Sequence, residues 1–154
     1  MKYDRIPYLV VYSEQSAFKD TYAGEIGKVV VENFLLKPEM PSDAVVIFSH
    51  PIGGGGWLPL VGTIAKSGIH TIYCNPRYRG NDTALIMERA AMDLAACVRD
   101  AKGRLGYKRV YLGGWSGGGT LAMFYQAEAQ DPKVTHTPAG DPYDLTAARF
   151  IPAD

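Results

Sequence analysis

Features that would draw this chain to a charged partner are scarce in its 154 residues. Sixteen basic side chains balance sixteen acidic ones, so the formal net charge is zero, and the basic residues are scattered along the sequence. No net field therefore attracts nucleic acid or an anionic membrane. No segment approaches the ~20 apolar residues that cross a bilayer, and residues 1–7 lack the apolar core of a secretory signal. We therefore expect a cytoplasmic protein that has neither nucleic acid nor a membrane as a partner.

Cysteine and histidine are scarce too, with two and three copies. Cys74 and Cys97 stand apart in segments predicted to be buried, which favours two apolar thiols in a reducing compartment over a disulfide. The histidines and cysteines are too scattered for metal-ligand spacing. Neither glycine cluster has the lysine and hydroxyl of a phosphate-binding loop or the spacing of a dinucleotide-binding turn. We expect neither a metal nor a cofactor.

Apolar strands alternate with helical segments along the chain, and its length fits one domain. Strands are predicted over 8–12, 28–36, 44–49, 69–74 and 109–112, and helices over 58–66, 83–104 and from the Ser116 region to 129. The alternation predicts an α/β domain with a mostly parallel sheet and flanking helices. Function on such a sheet belongs at the carboxyl ends of the strands. The loops 49–57, 75–82 and 113–120 should converge there.

Ser116 lies in the last of these loops, within Gly114-Trp115-Ser116-Gly117-Gly118. This is the G-x-S-x-G spacing of a nucleophile elbow, between a predicted strand and a predicted helix. A serine at the tip of so sharp a turn is held in a strained backbone conformation, and side chains two positions away on either side would collide. Gly114 and Gly118 remove that collision. The pattern predicts that Ser116 is a nucleophile, and a flexible glycine-rich loop is the alternative.

A second glycine-rich segment, residues 50–57, follows the predicted strand 44–49 and is called the glycine loop below. Glycines let the backbone approach a ligand closely, and preorganised N–H groups stabilise the negative charge that develops in acyl transfer. Pro51 has no N–H, so the donor from this loop should be Ile52 or Gly53. The second donor should be Gly117, the residue after the nucleophile. A flexible surface loop is again the alternative.

The order of these motifs resembles the N-terminal half of an α/β-hydrolase. The resemblance rests on His50-Pro51-Ile52-Gly53-Gly54-Gly55, Arg77-Tyr78-Arg79-Gly80-Asn81-Asp82 and Gly114-Trp115-Ser116-Gly117-Gly118, each after a predicted strand, and spans most of residues 27–131. It implies a carboxylesterase-like serine hydrolase that acts on a small-molecule ester, thioester or amide through an acyl-enzyme on Ser116. It also implies that His50 supports the oxyanion loop, with a role as catalytic base as the alternative.

In that family the acid and the histidine follow later strands, which these residues do not include. His70 opens a predicted strand at the opposite end of the sheet. His136 follows a helix of roughly 13 residues, which places it ~20 Å from Ser116 unless the tail folds straight back. We therefore expect 1–154 to be a single, incomplete α/β-hydrolase domain that lacks the C-terminal strands and lid, with 132–154 as a loop or lid-entry segment.

The acid and the histidine would then come from outside this segment, on a second polypeptide that carries the rest of the fold. A truncated, inactive chain is one alternative, and a compact site that uses His136, Asp141 and Asp144 is another. Trp57 and Trp115 flank the two oxyanion loops and are predicted to line a substrate pocket, although aromatic residues there are as often plain core. The alternative function is a non-catalytic α/β-hydrolase scaffold that binds a small apolar ligand or a protein partner.

Overall fold

A computed structural model of the protein describes residues 1–14, 28–55, 58–80 and 83–154. In this part of the chain five strands form one sheet, flanked by three α-helices. The strands are β1 (Tyr3–Ser13), β2 (Lys28–Pro38), β3 (Ala44–Ser49), β4 (Thr71–Asn75) and β5 (Arg109–Gly113), and the helices are α1 (Pro59–Lys66), α2 (Met87–Gly103) and α3 (Gly117–Gln130). None of the described helices is long and apolar enough to cross a membrane.

The strands lie in the order β1-β2-β4-β3-β5. β3 is parallel to both β4 and β5, whereas β2 is antiparallel to both β1 and β4. All strands except β2 therefore run in one direction, which confirms the predicted α/β architecture with a mostly parallel sheet. Because β3 lies between β4 and β5, the loops that follow these three strands meet at one edge of the sheet.

The core lies on both faces of the sheet because neighbouring strand residues point to opposite sides. Ile47 and Ile72 pack with residues of α2 and α3 in the larger cluster. Phe48 and Tyr73, each one position further along, pack with residues of α1 in the smaller cluster. This double coverage explains why β3 reads in the sequence as a continuous apolar run. Cys74 and Cys97 are both buried and free.

Several element boundaries differ from the prediction. β1 extends over Tyr3–Ser13, well beyond 8–12, because it pairs with the whole length of β2. β4 begins at Thr71 rather than 69, and α2 begins at Met87 rather than 83, because Ile86 has an extended backbone with φ −118° and ψ 117°. Apolar residues lie just before the observed starts of β4 and α2, so the pattern alone did not mark those two ends.

The tail after α3 folds back as an irregular hairpin. The amide of Tyr143 donates to Thr135 O, and that of Leu145 donates to Val134 O, both at 2.9 Å. The ring of Phe150 then stacks on Tyr125, with centroids 4.9 Å apart. The tail is thus packed against the body of the domain, and a role for 132–154 as a lid entry stays a prediction.

Candidate active site

The turn between β5 and α3, residues 113–118, is called the serine turn. Ser116 flanks the first residue of α3 and has φ 51° and ψ −130°. A positive φ is disfavoured for any residue with a side chain because the Cβ approaches the neighbouring carbonyl oxygen. The strained backbone predicted for this serine is therefore observed, and the side chain is exposed at the tip of the turn.

The glycines on either side of Ser116 make this turn sterically possible. A Cβ on Gly114 would lie 2.2 Å from the carbonyl carbon of Gly118, and a Cβ on Gly118 would lie 2.1 Å from Ser49 O at the end of β3. Both distances are far shorter than any tolerated contact, and the atoms met are backbone atoms. The prediction that these two positions must lack side chains is confirmed.

Hydrogen bonds close the start of α3 but leave the amide of Gly117 without an acceptor among the described residues. The N–H of Gly118 donates to Trp115 O at 2.8 Å, and that of Gly119 donates to Ser116 O at 3.0 Å. The N–H of Gly117 has no hydrogen-bond partner among the described residues, and the same holds for Ser116 Oγ. The start of α3 thus presents an available donor beside an available hydroxyl.

The amides of the glycine loop are mostly engaged. Gly53 N–H donates to His50 O at 2.8 Å, which closes a tight turn. Ile52 N–H lies 3.4 Å from His50 Nδ1, beyond the usual range for an N–H donor. Of the two donors predicted for this loop, Ile52 therefore has the N–H without a short hydrogen bond. The geometry favours Ile52 over Gly53 as the oxyanion donor.

His50 begins the glycine loop and lies beside the serine turn. A Cβ on Gly117 would be 3.3 Å from His50 Nε2, and the imidazole ring is 5.6 Å from the Trp115 ring. Burial lowers the pKa of His50, so the ring is neutral near pH 7. Nδ1 faces the Ile52 amide at 3.4 Å, and no hydrogen bond joins either ring nitrogen to Ser116 Oγ in the described part of the chain. This position favours loop support over a role as base.

The other histidines have partners elsewhere. His70 is buried between Tyr107 OH, at 2.7 Å from Nδ1, and Met40 O, at 2.8 Å from Nε2. It precedes β4 and so lies at the amino end of the parallel strands, as predicted. His136 Nδ1 is 3.0 Å from Thr135 Oγ1 within the tail hairpin. No hydrogen bond joins either ring to Ser116 in the described part of the chain.

The tail carboxylates are also occupied locally. Asp144 Oδ1 accepts from the amide of Thr146 at 2.9 Å and from its hydroxyl at 2.6 Å, and these bonds hold the pKa of Asp144 below its ordinary value. The Thr137 hydroxyl accepts from the amide of Asp141 at 3.2 Å and faces Asp141 Oδ2 at 3.5 Å. Nothing in the described contacts assembles the compact site that would use these residues with His136.

A buried ionic cluster, which sequence reasoning missed, lies where β1 and β4 end. Arg77 Nη1 is 2.5 Å from Glu14 Oε2, and Nη2 is 2.8 Å from Asp93 Oδ1. The hydroxyl of Tyr12 donates to Asp93 at 2.6 Å, and that of Tyr143 donates to Glu14. Burial by itself would lower the pKa of Arg77, but the attraction of Asp93 outweighs it and leaves this pKa above its ordinary value. The cluster ties the start of the loop after β4 to α2, β1 and the tail.

Of the two tryptophans predicted to line a substrate pocket, the structure describes one. Trp115 is 40% exposed beside His50, a position compatible with contact to a substrate. Trp57 lies outside the described residues. The predicted pocket stays a prediction.

No protein-family model matches the chain, and no significant match is found among curated proteins. Solved structures do match. Est1E from Butyrivibrio proteoclasticus, with ferulic acid bound, superimposes with a TM-score of 0.54 at 18% identity over 66% of this chain and 44% of that one. A dienelactone hydrolase from Anabaena variabilis superimposes with a TM-score of 0.57 at 16% identity, over 86% of this chain and 60% of that one. For the Pyrococcus furiosus esterase Pf2001 the TM-score is 0.57 at 16% identity, over 84% of this chain and 48% of that one.

The protein has an α/β-hydrolase fold. Its structural neighbours include esterases of this fold, and the chain spans 44% and 42% of the length of the two Est1E structures. In an α/β-hydrolase fold, the loop after the third strand and the strand-to-helix turn lie side by side at the carboxyl edge of the sheet. In this chain those two places hold the glycine loop and the serine turn.

Proposed function

We propose that these residues supply the nucleophile and the oxyanion-binding amides of a serine hydrolase that acts on a carboxylic ester, a thioester or an amide. The observation that carries the proposal is Ser116. Its hydroxyl is exposed on a strained, glycine-flanked turn at the start of α3, beside a Gly117 N–H with no acceptor among the described residues. A hydroxyl presented this way is placed to attack a carbonyl carbon.

The proposed reaction follows the acyl-enzyme route. Ser116 Oγ attacks the substrate carbonyl carbon while a histidine takes the hydroxyl proton, and the carbonyl oxygen becomes an oxyanion held by Gly117 N–H and Ile52 N–H. The intermediate collapses, the leaving group departs with that proton, and the acyl group stays on Oγ. Water then attacks the acyl-enzyme in the same manner and releases the carboxylic acid.

The histidine and the acid are proposed to come from outside these 154 residues. His70 and His136 are bonded elsewhere, and His50 Nδ1 faces the Ile52 amide and makes no described hydrogen bond to Ser116. The matched structures are considerably longer than this chain. The proposal is that a second polypeptide, also in the cytoplasm, completes the fold.

A fluorophosphonate probe tests the proposal, because it forms a bond only with an activated serine. The protein is isolated from its natural source and treated with the probe, and mass spectrometry locates the adduct and any polypeptide that travels with the 16.8 kDa chain. We expect the adduct on Ser116, its loss in Ser116→Ala, and its retention in Ser42→Ala, an exposed serine that bonds only within its own turn.

Full ester turnover by Ser116→Ala would refute the proposal. An unlabelled Ser116 in a protein that still binds an apolar ligand, with the same affinity before and after Ser116→Ala, would instead identify a non-catalytic scaffold.

A further inference from the structure

Two side chains of β4 hold the backbone of the glycine loop. Tyr73 and Asn75 are two positions apart and so face the same side of the strand. The hydroxyl of Tyr73 accepts from Gly55 N–H at 2.8 Å, and Asn75 Oδ1 accepts from Gly54 N–H at 3.0 Å. Consecutive amides of the loop are therefore bonded to side chains of a neighbouring strand.

The peptide group that joins Ile52 to Gly53 is hydrogen-bonded through both its carbonyl and its N–H. Its carbonyl, Ile52 O, accepts from Gly80 N–H at 3.3 Å, and its N–H, on Gly53, donates to His50 O at 2.8 Å. The amides of Gly53, Gly54 and Gly55 are thereby withdrawn from any role with a substrate. Among the described residues 52–55, the amide of Ile52 is left as the available donor.

The loop backbone lies directly against the side chains of β4. A Cβ on Gly55 would lie 2.3 Å from the Tyr73 hydroxyl, and a Cβ on Gly53 would lie 3.2 Å from Asn75 Oδ1. The side chains of Tyr73 and Asn75 belong to residues that are 0% and 4% exposed. They lie beneath the loop, so any influence they have on a substrate passes through the loop backbone.

We propose that Tyr73 and Asn75 are positioning residues that keep the Ile52 amide aimed at the oxyanion formed on attack by Ser116. This inference rests on the function proposed above. An oxyanion donor acts only when it is already in place as charge develops, and loss of one such donor lowers kcat by about 10²–10³-fold. A displacement of about 1 Å lowers the rate by about 10²-fold. The rigid seat on β4 supplies that placement.

The test compares Tyr73→Phe with Tyr107→Phe in the catalytically active assembly. Each variant deletes one buried tyrosine hydroxyl, but the Tyr107 hydroxyl bonds to His70 at the opposite end of the sheet. With a p-nitrophenyl ester, we expect Tyr73→Phe to lower kcat about tenfold to a hundredfold. KM should stay within about twofold, and binding of a trifluoromethyl ketone, which mimics the oxyanion, should weaken in parallel with kcat. Tyr107→Phe should change none of these values.

Asn75 provides a second pair of variants. Asn75→Ala removes the acceptor for Gly54 N–H and should lower kcat as Tyr73→Phe does, whereas Asn75→Asp keeps an oxygen acceptor and should recover most of the loss. Hydrogen–deuterium exchange adds a readout that needs no turnover. The amides of Gly54 and Gly55 should exchange faster in Asn75→Ala and Tyr73→Phe, and at the normal rate in Tyr107→Phe.

Unchanged kcat in Tyr73→Phe and Asn75→Ala, with faster exchange of the loop amides, would overturn the inference. Equal losses in Tyr73→Phe and Tyr107→Phe would do the same, since they would report general destabilisation. The proposed function fails by a different signature, which is the absence of a Ser116 adduct in the wild-type protein.

Discussion

Replacement of Arg77 by methionine should destabilise the protein far more than the same replacement of Arg79. Both arginines follow β4, and each forms an ion pair. The side chain of Arg77 is 9% exposed, and those of its partners Asp93 and Glu14 are 0% and 5% exposed. In the pair of Arg79 with Glu32, the side chains are 47% and 52% exposed.

The burial of the partners sets the expected size of each effect. Arg77→Met leaves two carboxylates uncompensated away from water, and the loss of one partner of a buried pair costs about 3–5 kcal/mol. An exposed pair contributes about 0–1 kcal/mol, because water already screens both charges. Domains of this kind have a free energy of unfolding of about 5–15 kcal/mol. Arg77→Met therefore removes a large share of the total, and Arg79→Met does not.

Urea unfolding followed by circular dichroism measures both effects. At a slope of about 2 kcal/mol per molar urea, Arg77→Met should shift the midpoint down by about 1.5–2.5 M, and Arg79→Met by less than about 0.5 M. Adding Asp93→Asn and Glu14→Gln to Arg77→Met should recover part of the loss, because the stranded charges are removed. Equal midpoints for the two methionine variants would refute the reasoning that burial, and not ion-pair formation, decides the energy.

Two further predictions concern the candidate site. Gly118→Ala should destabilise the protein by at least about 1–3 kcal/mol, because its Cβ meets Ser49 O at 2.1 Å. Gly119→Ala, where the Cβ meets nothing within 4 Å, should be neutral or stabilise α3 by up to about 1 kcal/mol. Thermal unfolding of the two variants checks this, and similar melting temperatures would contradict it. In an NMR titration the midpoint of His50 should fall below the ordinary histidine value, because burial disfavours the charged ring. Because the folded state favours neutral His50, the contribution of His50 to the free energy of unfolding is complete above the ordinary histidine pKa. That contribution is lost as the pH falls through the lowered pKa of the folded state. An NMR midpoint at or above the ordinary value would contradict the burial argument.

The serine turn was predictable because most of its determinants are local. The collision that requires glycine at 114 involves Gly118, four residues later, whereas the one that requires glycine at 118 involves Ser49 O of β3. The strand before the turn and the helix after it are marked by their own composition. The parallel part of the sheet was also predictable from local sequence, because the apolar runs of β3 and β4 indicate strands that are covered on both faces.

The details that remained open depend on partners that are distant in sequence. The amides of Gly54 and Gly55 bond to Asn75 and Tyr73 of β4, and composition does not reveal which amide a remote side chain will engage. The ionic cluster joins Arg77 to Glu14 across 63 positions. A charged side chain in a loop predicts exposure unless its partners are known.

The serine turn separates the hydroxyl of Ser116 from the atoms that hold the turn. Its shape is set by main-chain atoms of Gly114, Gly118 and Ser49, whereas the hydroxyl of Ser116 bonds to nothing in the described part of the chain. A thiol or a carboxylate at position 116 would meet the same open space on the same bent backbone. The turn therefore requires glycine at positions 114 and 118 but does not restrict the side chain at position 116. Side chains suited to different covalent chemistries are thus a single substitution apart at position 116, whereas a substitution at either flanking glycine disrupts the turn.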